Sequence, residues 1–183
     1  NCNFIKQKSA KIRIIFIGDV TQKKGIIDFI QIIRNLNVND FEFNIVGKYD
    51  EDDPIYKSNK SICNFYGYVT HDEVLKICEN MDVIIFPSLS DGFGLSVIEA
   101  MSKKVVPIVS KNAGVSDIII NGVNGFTFEV GDNEMVVSKC RYLKDDKLAL
   151  NSMQNEAFKC VSTMKWTDYY KQIEEAIKII FES

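Results

Sequence analysis

The sequence predicts a doubly wound parallel α/β sheet, and three observations predict it. Short, nearly continuous apolar runs recur along the chain, as in strands buried on both faces. Amphipathic segments with helical spacing separate them. Glycine residues, or a glycine-rich loop, follow the runs where strands would pass into helices. Right-handed crossovers between parallel strands then give a sheet with helices on both faces.

The first strand is "KIRIIFIGDV", a β-branched run ending in Gly18. The helical segment "KKGIIDFIQIIRNL" follows, with Ile26, Phe29, Ile30 and Ile33 on one face. "FEFNIVG" is the second strand, ending in Gly47. The acidic segment "KYDEDDPIYKSNKS" carries Pro54 and reads as a loop. "ICNFYGYV" is the third strand, ending near Gly67. Thr70 and Glu73 have the spacing of a capping box, so a helix starts there and runs to about Asn80. The lone histidine, His71, falls in its first turn and reads as a surface helix residue. "DVIIFP" is the fourth strand, "FGLSVIEAMSK" a short helix, "VVPIVS" the fifth strand and "GFTFEV" the sixth. Asp132 caps a helix to about Lys144. Further helices are expected from about Lys147 to Cys160 and from about Asp168 to Phe181. No internal repeat is visible.

Bulk composition narrows the function. The 183 residues give one domain of ordinary size, with residues 1–10 a polar linker and residues 11–183 the folded unit. Hydrophobic residues make up 46% and charged residues 26%, a globular balance. The net charge of −3, with lysine and arginine spread along the chain, gives no nucleic-acid-binding field. The longest apolar stretches, such as Val83–Pro87, are too short to span a bilayer. Five cysteines, at positions 2, 63, 78, 140 and 160, have neither disulfide nor zinc spacing and read as reduced thiols of a cytosolic protein. No signal peptide is evident. The first residue is Asn1, and a piece of something longer is expected.

The stretch "PSLSDGFGLSVIEAM", Pro87 to Met101, carries the chemistry. It leaves the fourth strand and enters a helix. Gly92 and Gly94 let the backbone turn tightly and let a ligand approach it. The amides of Gly94, Leu95 and Ser96 would be unpaired donors at a helix start, suited to phosphate. Glu99, one turn deeper, is placed to accept two hydroxyl hydrogen bonds, as from a ribose, while Asp91 points toward whatever the phosphate carries. On the pattern alone, a strand–turn–helix junction with incidental acids explains the stretch equally well.

The stretch also resembles the donor-site signature of retaining glycosyltransferases with the GT-B fold, in the large family four of those enzymes. Asp91, Gly92, Phe93, Gly94 and Glu99 fill the places of acid, Gly-Phe-Gly and a second Glu seven intervening residues after the first acid. The resemblance covers nearly the whole chain. It takes in "FIGDVTQKKGIIDFI", "FNIVGKYD", "FYGYVTHDEVLKICENMDVIIFPS" and "EAMSKKVVPIVSKNAGVSDIIINGVNGFTF", and "KWTDYYKQIEEAI" is similar to the family's final helix.

This resemblance implies a Rossmann-like, donor-binding C-terminal half of a two-domain enzyme. It implies that Gly18 opens the diphosphate loop, Lys24 supplies positive charge, Glu99 holds the ribose and Asp91 faces the sugar hydroxyls. Lys24 and Asp91 are thus the catalytic candidates, and backbone around Tyr68 and Val69 would meet the base. The implied substrate is a UDP- or GDP-sugar, with no metal or other cofactor. A glycan or lipid-linked acceptor would bind the absent N-terminal half, which would also make any membrane contact, and the half present would transfer nothing by itself. Three positions depart from the family pattern. Asp19 stands where Arg is frequent, Asp91 where Glu is usual, and Lys104 where a helix-ending Gly is usual. A non-glycine residue at such a left-handed cap costs about 1 kcal/mol. Two alternatives stay open: a sugar-nucleotide epimerase, and a non-catalytic binding or scaffold module of the same fold.

Overall fold

The structure is a computed structural model that describes residues 9–162 and Met164. Residues 1–8 of the expected linker and the helix expected over 168–181 lie outside the described residues.

Six parallel strands form one sheet: β1 (Ile12–Ile17), β2 (Phe41–Val46), β3 (Cys63–Gly67), β4 (Val83–Phe86), β5 (Val106–Ser110) and β6 (Phe126–Phe128). Their order is β3-β2-β1-β4-β5-β6. The chain steps outward from β1 through β2 to β3, then returns to the other side of β1 and steps outward again. The winding reverses between β1 and β4, and a crevice opens at the carboxyl ends of these two strands. β2 pairs with β1 along its whole length, from Ile12 opposite Phe41 to Ile17 opposite Val46. β4 pairs with β1 through Ile14–Val83 and Ile15–Ile84.

The helices cover both faces as the apolar runs require. On one face, α1 (Ile26–Arg34) and α5 (Asn133–Asp145) pack against Ile12, Ile14, Phe16, Phe43 and Ile45. Phe29 of α1 lies with its ring 5.3 Å from that of Phe16. On the other face, α3 (His71–Cys78), α4 (Leu95–Met101) and α6 (Lys147–Ser162) bring Cys78, Val97, Met101 and Ala157 onto Ile15, Ile84 and Phe86. Each of the large side chains that is fully buried contributes about 1.5–3 kcal/mol through removal from water. The capping box at α3 is formed: Thr70 N donates to Glu73 Oε2 at 2.8 Å, and Glu73 N donates to Thr70 Oγ1 at 3.4 Å. Among the described residues, no helix is long and apolar enough to cross a membrane.

Two local features bear on the sequence reading. The segment expected to be a loop contains α2 (Pro54–Asn59). Asp53 caps it, its Oδ1 accepting from the Ile55 amide at 2.6 Å, and Pro54 occupies the first turn, where it gives up no intrahelical bond. The acid and proline that read as breakers are the start of a helix. It is held by Tyr56, whose ring stacks on Tyr49 at 4.8 Å. Lys104 takes φ 58°, the left-handed conformation expected for the end of α4.

Candidate active site

The crevice is built by two loops, one leaving β1 and one leaving β4. After β1, Gly18 donates to Val46 O at 2.8 Å, which ties the exits of β1 and β2 together. The chain then makes a 3-10 turn at Gln22–Lys24 and enters α1 through Gly25. Gly25 has φ 77°, and a Cβ on it would lie 1.9 Å from the carbonyl oxygen of Pro87. Only glycine permits this approach of the β1 loop to the β4 loop. The contact is reinforced by Lys23, whose carbonyl accepts from the Leu89 amide at 3.0 Å and from Ser88 Oγ at 3.2 Å. On the far side, Asn112 Nδ2 donates to Leu89 O at 3.0 Å, and the Gly114 amide donates to Asp91 O at 3.2 Å. The Ser88–Gly94 loop is therefore fixed from both flanks.

Within this frame Lys24 Nζ lies 2.6 Å from Asp91 Oδ2. The other carboxylate oxygen accepts from the amides of Gly94 at 2.8 Å and Phe93 at 3.3 Å. Burial pulls the Asp91 pKa upward, but the Lys24 pair and the two amides outweigh it and hold the carboxyl below its ordinary value. Gly94 has φ 77°, and a Cβ there would press within 2.9 Å of Val115. It opens α4, whose first two amides, Leu95 and Ser96, donate to no acceptor among the described residues.

Glu99 is half-buried on α4, with its Oε1 3.4 Å from His71 Nδ1. His71 follows the capping residue of α3, so the contact places Glu99 at the same edge of the sheet as the two loops. Burial pushes the Glu99 carboxyl up, and charge on His71 opposes that shift. Tyr68 is exposed just past β3, with Lys48 Nζ 5.3 Å from its ring centre. Val69 is half-buried against the second core. Among the described residues, no three His, Cys, Asp or Glu side chains cluster as a metal site would.

The structure brings Gly18, Lys24, Asp91, Gly92, Phe93, Gly94, Leu95 and Ser96 together on the two loops and the start of α4, with Glu99 behind them. Two details differ from the sequence reading. The Gly94 amide is not an open donor, because Asp91 takes it. The Asp91 carboxylate is turned onto Lys24 and the turn amides. Asp19 Oδ1 accepts from the Lys48 amide at 3.2 Å, beside the β2 exit. The sequence reading missed Gly25, Ser88 and Asn112, whose partners lie more than 20 residues away. It also missed the contact of His71 with Glu99. A separate cavity of about 440 Å³ lies at the opposite edge of the sheet, between Arg34, Arg141 and Lys144. Asp40 and Asp145 line it too and offset its charge.

Comparison with known proteins decides the family. The family model described as glycosyl transferases group 1 matches residues 3–159. The chain belongs to the group 1 glycosyl transferases. Similar relatives include an uncharacterised 41.2 kDa protein in the cps region of Klebsiella pneumoniae, 31% identical over 74% of this chain. Another is the capsular polysaccharide biosynthesis glycosyltransferase CapM of Staphylococcus aureus, 25% identical over 72% of this chain. The matches span only 38% and 36% of those two proteins. Among solved structures, the C-terminal domain of the group 1 glycosyl transferase LpcC from Francisella tularensis superposes with a TM-score of 0.73 at 22% identity. That match covers 83% of this chain and 85% of the other. Anabaena HepE, solved in complex with UDP-glucose, superposes with a TM-score of 0.78 at 17% identity, covering 92% of this chain and 49% of HepE. At these identities the structures establish the group 1 glycosyl transferase fold, a Rossmann-like GT-B domain.

Proposed function

We propose that this chain is the donor-binding domain of a retaining glycosyltransferase that transfers a hexose from a UDP- or GDP-sugar to a glycan or lipid-linked acceptor, as in surface polysaccharide synthesis. The acceptor and any membrane contact belong to an N-terminal domain, without which the domain transfers nothing. The observation that carries the reading is the grouping of Lys24, the two open amides of α4 and Glu99 around the β1–β4 crevice. The capsule-related names of two relatives and the UDP-glucose named for HepE support it.

Each group has a task in the transfer. As the bond from sugar to diphosphate breaks, negative charge grows on the leaving oxygens. Lys24 and the Leu95 and Ser96 amides meet that charge in a site already organised before the donor arrives. Asp91 holds Lys24 in place and stands beside the transferred sugar. Glu99 accepts the ribose hydroxyls, Gly18 and Gly92 let the phosphates approach the backbone, and Phe93 shapes the turn. Tyr68 and Val69 border the base. This arrangement compensates the charge without a divalent metal.

Calorimetric titration with UDP, GDP and their sugars tests the reading. Binding of one of them is expected, and Glu99→Gln should weaken it by about 1.5–3 kcal/mol, the worth of a hydrogen bond to a charged group. No binding of any nucleotide would instead favour a scaffold module.

A further inference from the structure

The lone histidine of the chain touches the carboxylate proposed to hold the donor's ribose. Its side chain is 63% exposed and that of Glu99 is 29% exposed, with 3.4 Å between Nδ1 and Oε1. Among the described residues no donor reaches the other oxygen, Oε2. We propose that His71 is a positioning residue for Glu99. It fixes the carboxylate that takes the ribose hydroxyls, and so sets the preference for ribonucleotide over 2′-deoxyribonucleotide donors. This rests on the donor reading above.

The geometry supports positioning over a simple clasp between helices. α3 and α4 are already tied at their far ends, where Lys103 Nζ lies 2.7 Å from Glu79 Oε1. The carboxylate on α3 nearest the histidine in the capping box, Glu73, is committed to Thr70. Lys24 is committed to Asp91. Among the described residues, Glu99 is thus left with the 3.4 Å approach of His71 Nδ1 as the contact that orients it. An ionised carboxylate oxygen has two lone pairs, so Oε1 can hold His71 and a ribose hydroxyl together while Oε2 takes the second hydroxyl. Burial favours the protonated form of Glu99, which is a poorer acceptor, and charge on His71 works against that protonation.

The experiment compares affinities for UDP and 2′-deoxy-UDP, or for GDP and 2′-deoxy-GDP if guanine is the base bound. The chain is titrated as wild type, His71→Ala, His71→Asn, Glu99→Gln and the Glu99→Gln/His71→Ala pair. The wild type should prefer the ribonucleotide by about tenfold or more, the worth of one hydroxyl bonded to a charged group. His71→Ala should cut that preference by about two- to fivefold, as for an ion pair of this exposure. His71→Asn, which keeps an N–H at nearly the same place, should restore most of it. In the Glu99→Gln background, His71→Ala should change nothing further. His71 is exposed, so unfolding of the His71 variants at the wild-type midpoint is the expected control. The proposal is overturned if His71→Ala keeps the wild-type preference, or if Asn behaves as Ala does. Loss of affinity in Glu99→Gln without any effect of His71 would remove His71 alone. No loss in Glu99→Gln would remove the ribose reading, and this proposal with it.

Discussion

Gly25→Ala tests whether the two loops meet as described. The substitution acts twice. Alanine at φ 77° carries the left-handed penalty of about 1–2 kcal/mol. Its Cβ would also lie 1.9 Å from Pro87 O and 2.5 Å from Pro87 C, so the loops must part by about 1 Å. Overpacking of that kind adds about 1–3 kcal/mol. The sum is about 2–5 kcal/mol. At a urea slope of about 2 kcal/mol/M, the unfolding midpoint should fall by roughly 1–2.5 M. The parting should also stretch the Leu89 to Lys23 bond and the Lys24–Asp91 pair, so diphosphate affinity should fall in the protein that remains folded. Urea unfolding followed by circular dichroism, with UDP and GDP titrations of the folded variant, reads both effects. An unchanged midpoint would refute the close approach of Gly25 to Pro87 and the site geometry built on it.

Three further outcomes follow from the site. Lys24→Ala should weaken UDP or GDP by about tenfold or more while changing uridine or guanosine little, because the ammonium meets phosphate; equal loss for both ligand types in calorimetry would place Lys24 elsewhere. Asp19→Arg should tighten diphosphate binding at low salt, whereas Asp19→Asn should leave it unchanged, because the carboxylate is engaged by the Lys48 amide; tighter binding by Asn would show that the acid repels the donor. The Asp91 carboxyl lies below its ordinary value, so the stability it adds is full above about pH 4 and fades as the pH falls through its lowered pKa. Asp91→Asn should therefore lower the thermal midpoint at neutral pH, and the gap to wild type should narrow as the pH falls below about 4 and through the lowered pKa; a gap that widens on acidification would contradict the sign.

The sheet was legible because local pattern decided it. Val83–Phe86 is apolar throughout and Ile12–Ile17 is apolar but for Arg13, and both strands are buried along their whole length, which only a sheet covered on both faces accommodates. Thr70 with Glu73 fixed the start of α3 within one residue. α2 was misread because Asp53 and Pro54 serve equally as loop residues and as the first residues of a helix. Their sense depended on the packing of Tyr56 against Tyr49 and Phe65, which is tertiary. At the site, the run from Asp91 to Glu99 was visible because loop and helix are contiguous. Lys24 came only with the family resemblance. Gly25 was hidden because its reason is Pro87, on another strand's loop. The direction of Asp19 and the contact of His71 with Glu99 were hidden in the same way, since each depends on a residue brought near only by folding.

The central claim is that a nucleoside diphosphate binds at the β1–β4 crevice, with its phosphates on Lys24 and the first amides of α4. The most direct measurement is an amide nitrogen–proton correlation spectrum of the labelled chain titrated with UDP and with GDP. The account predicts saturable shifts for one of them at Gly18, Lys24, Gly94, Leu95 and Ser96, and at His71 beside Glu99. Shifts that gather at Arg34 and Arg141 on the opposite edge, or no shift with either nucleotide, would contradict it.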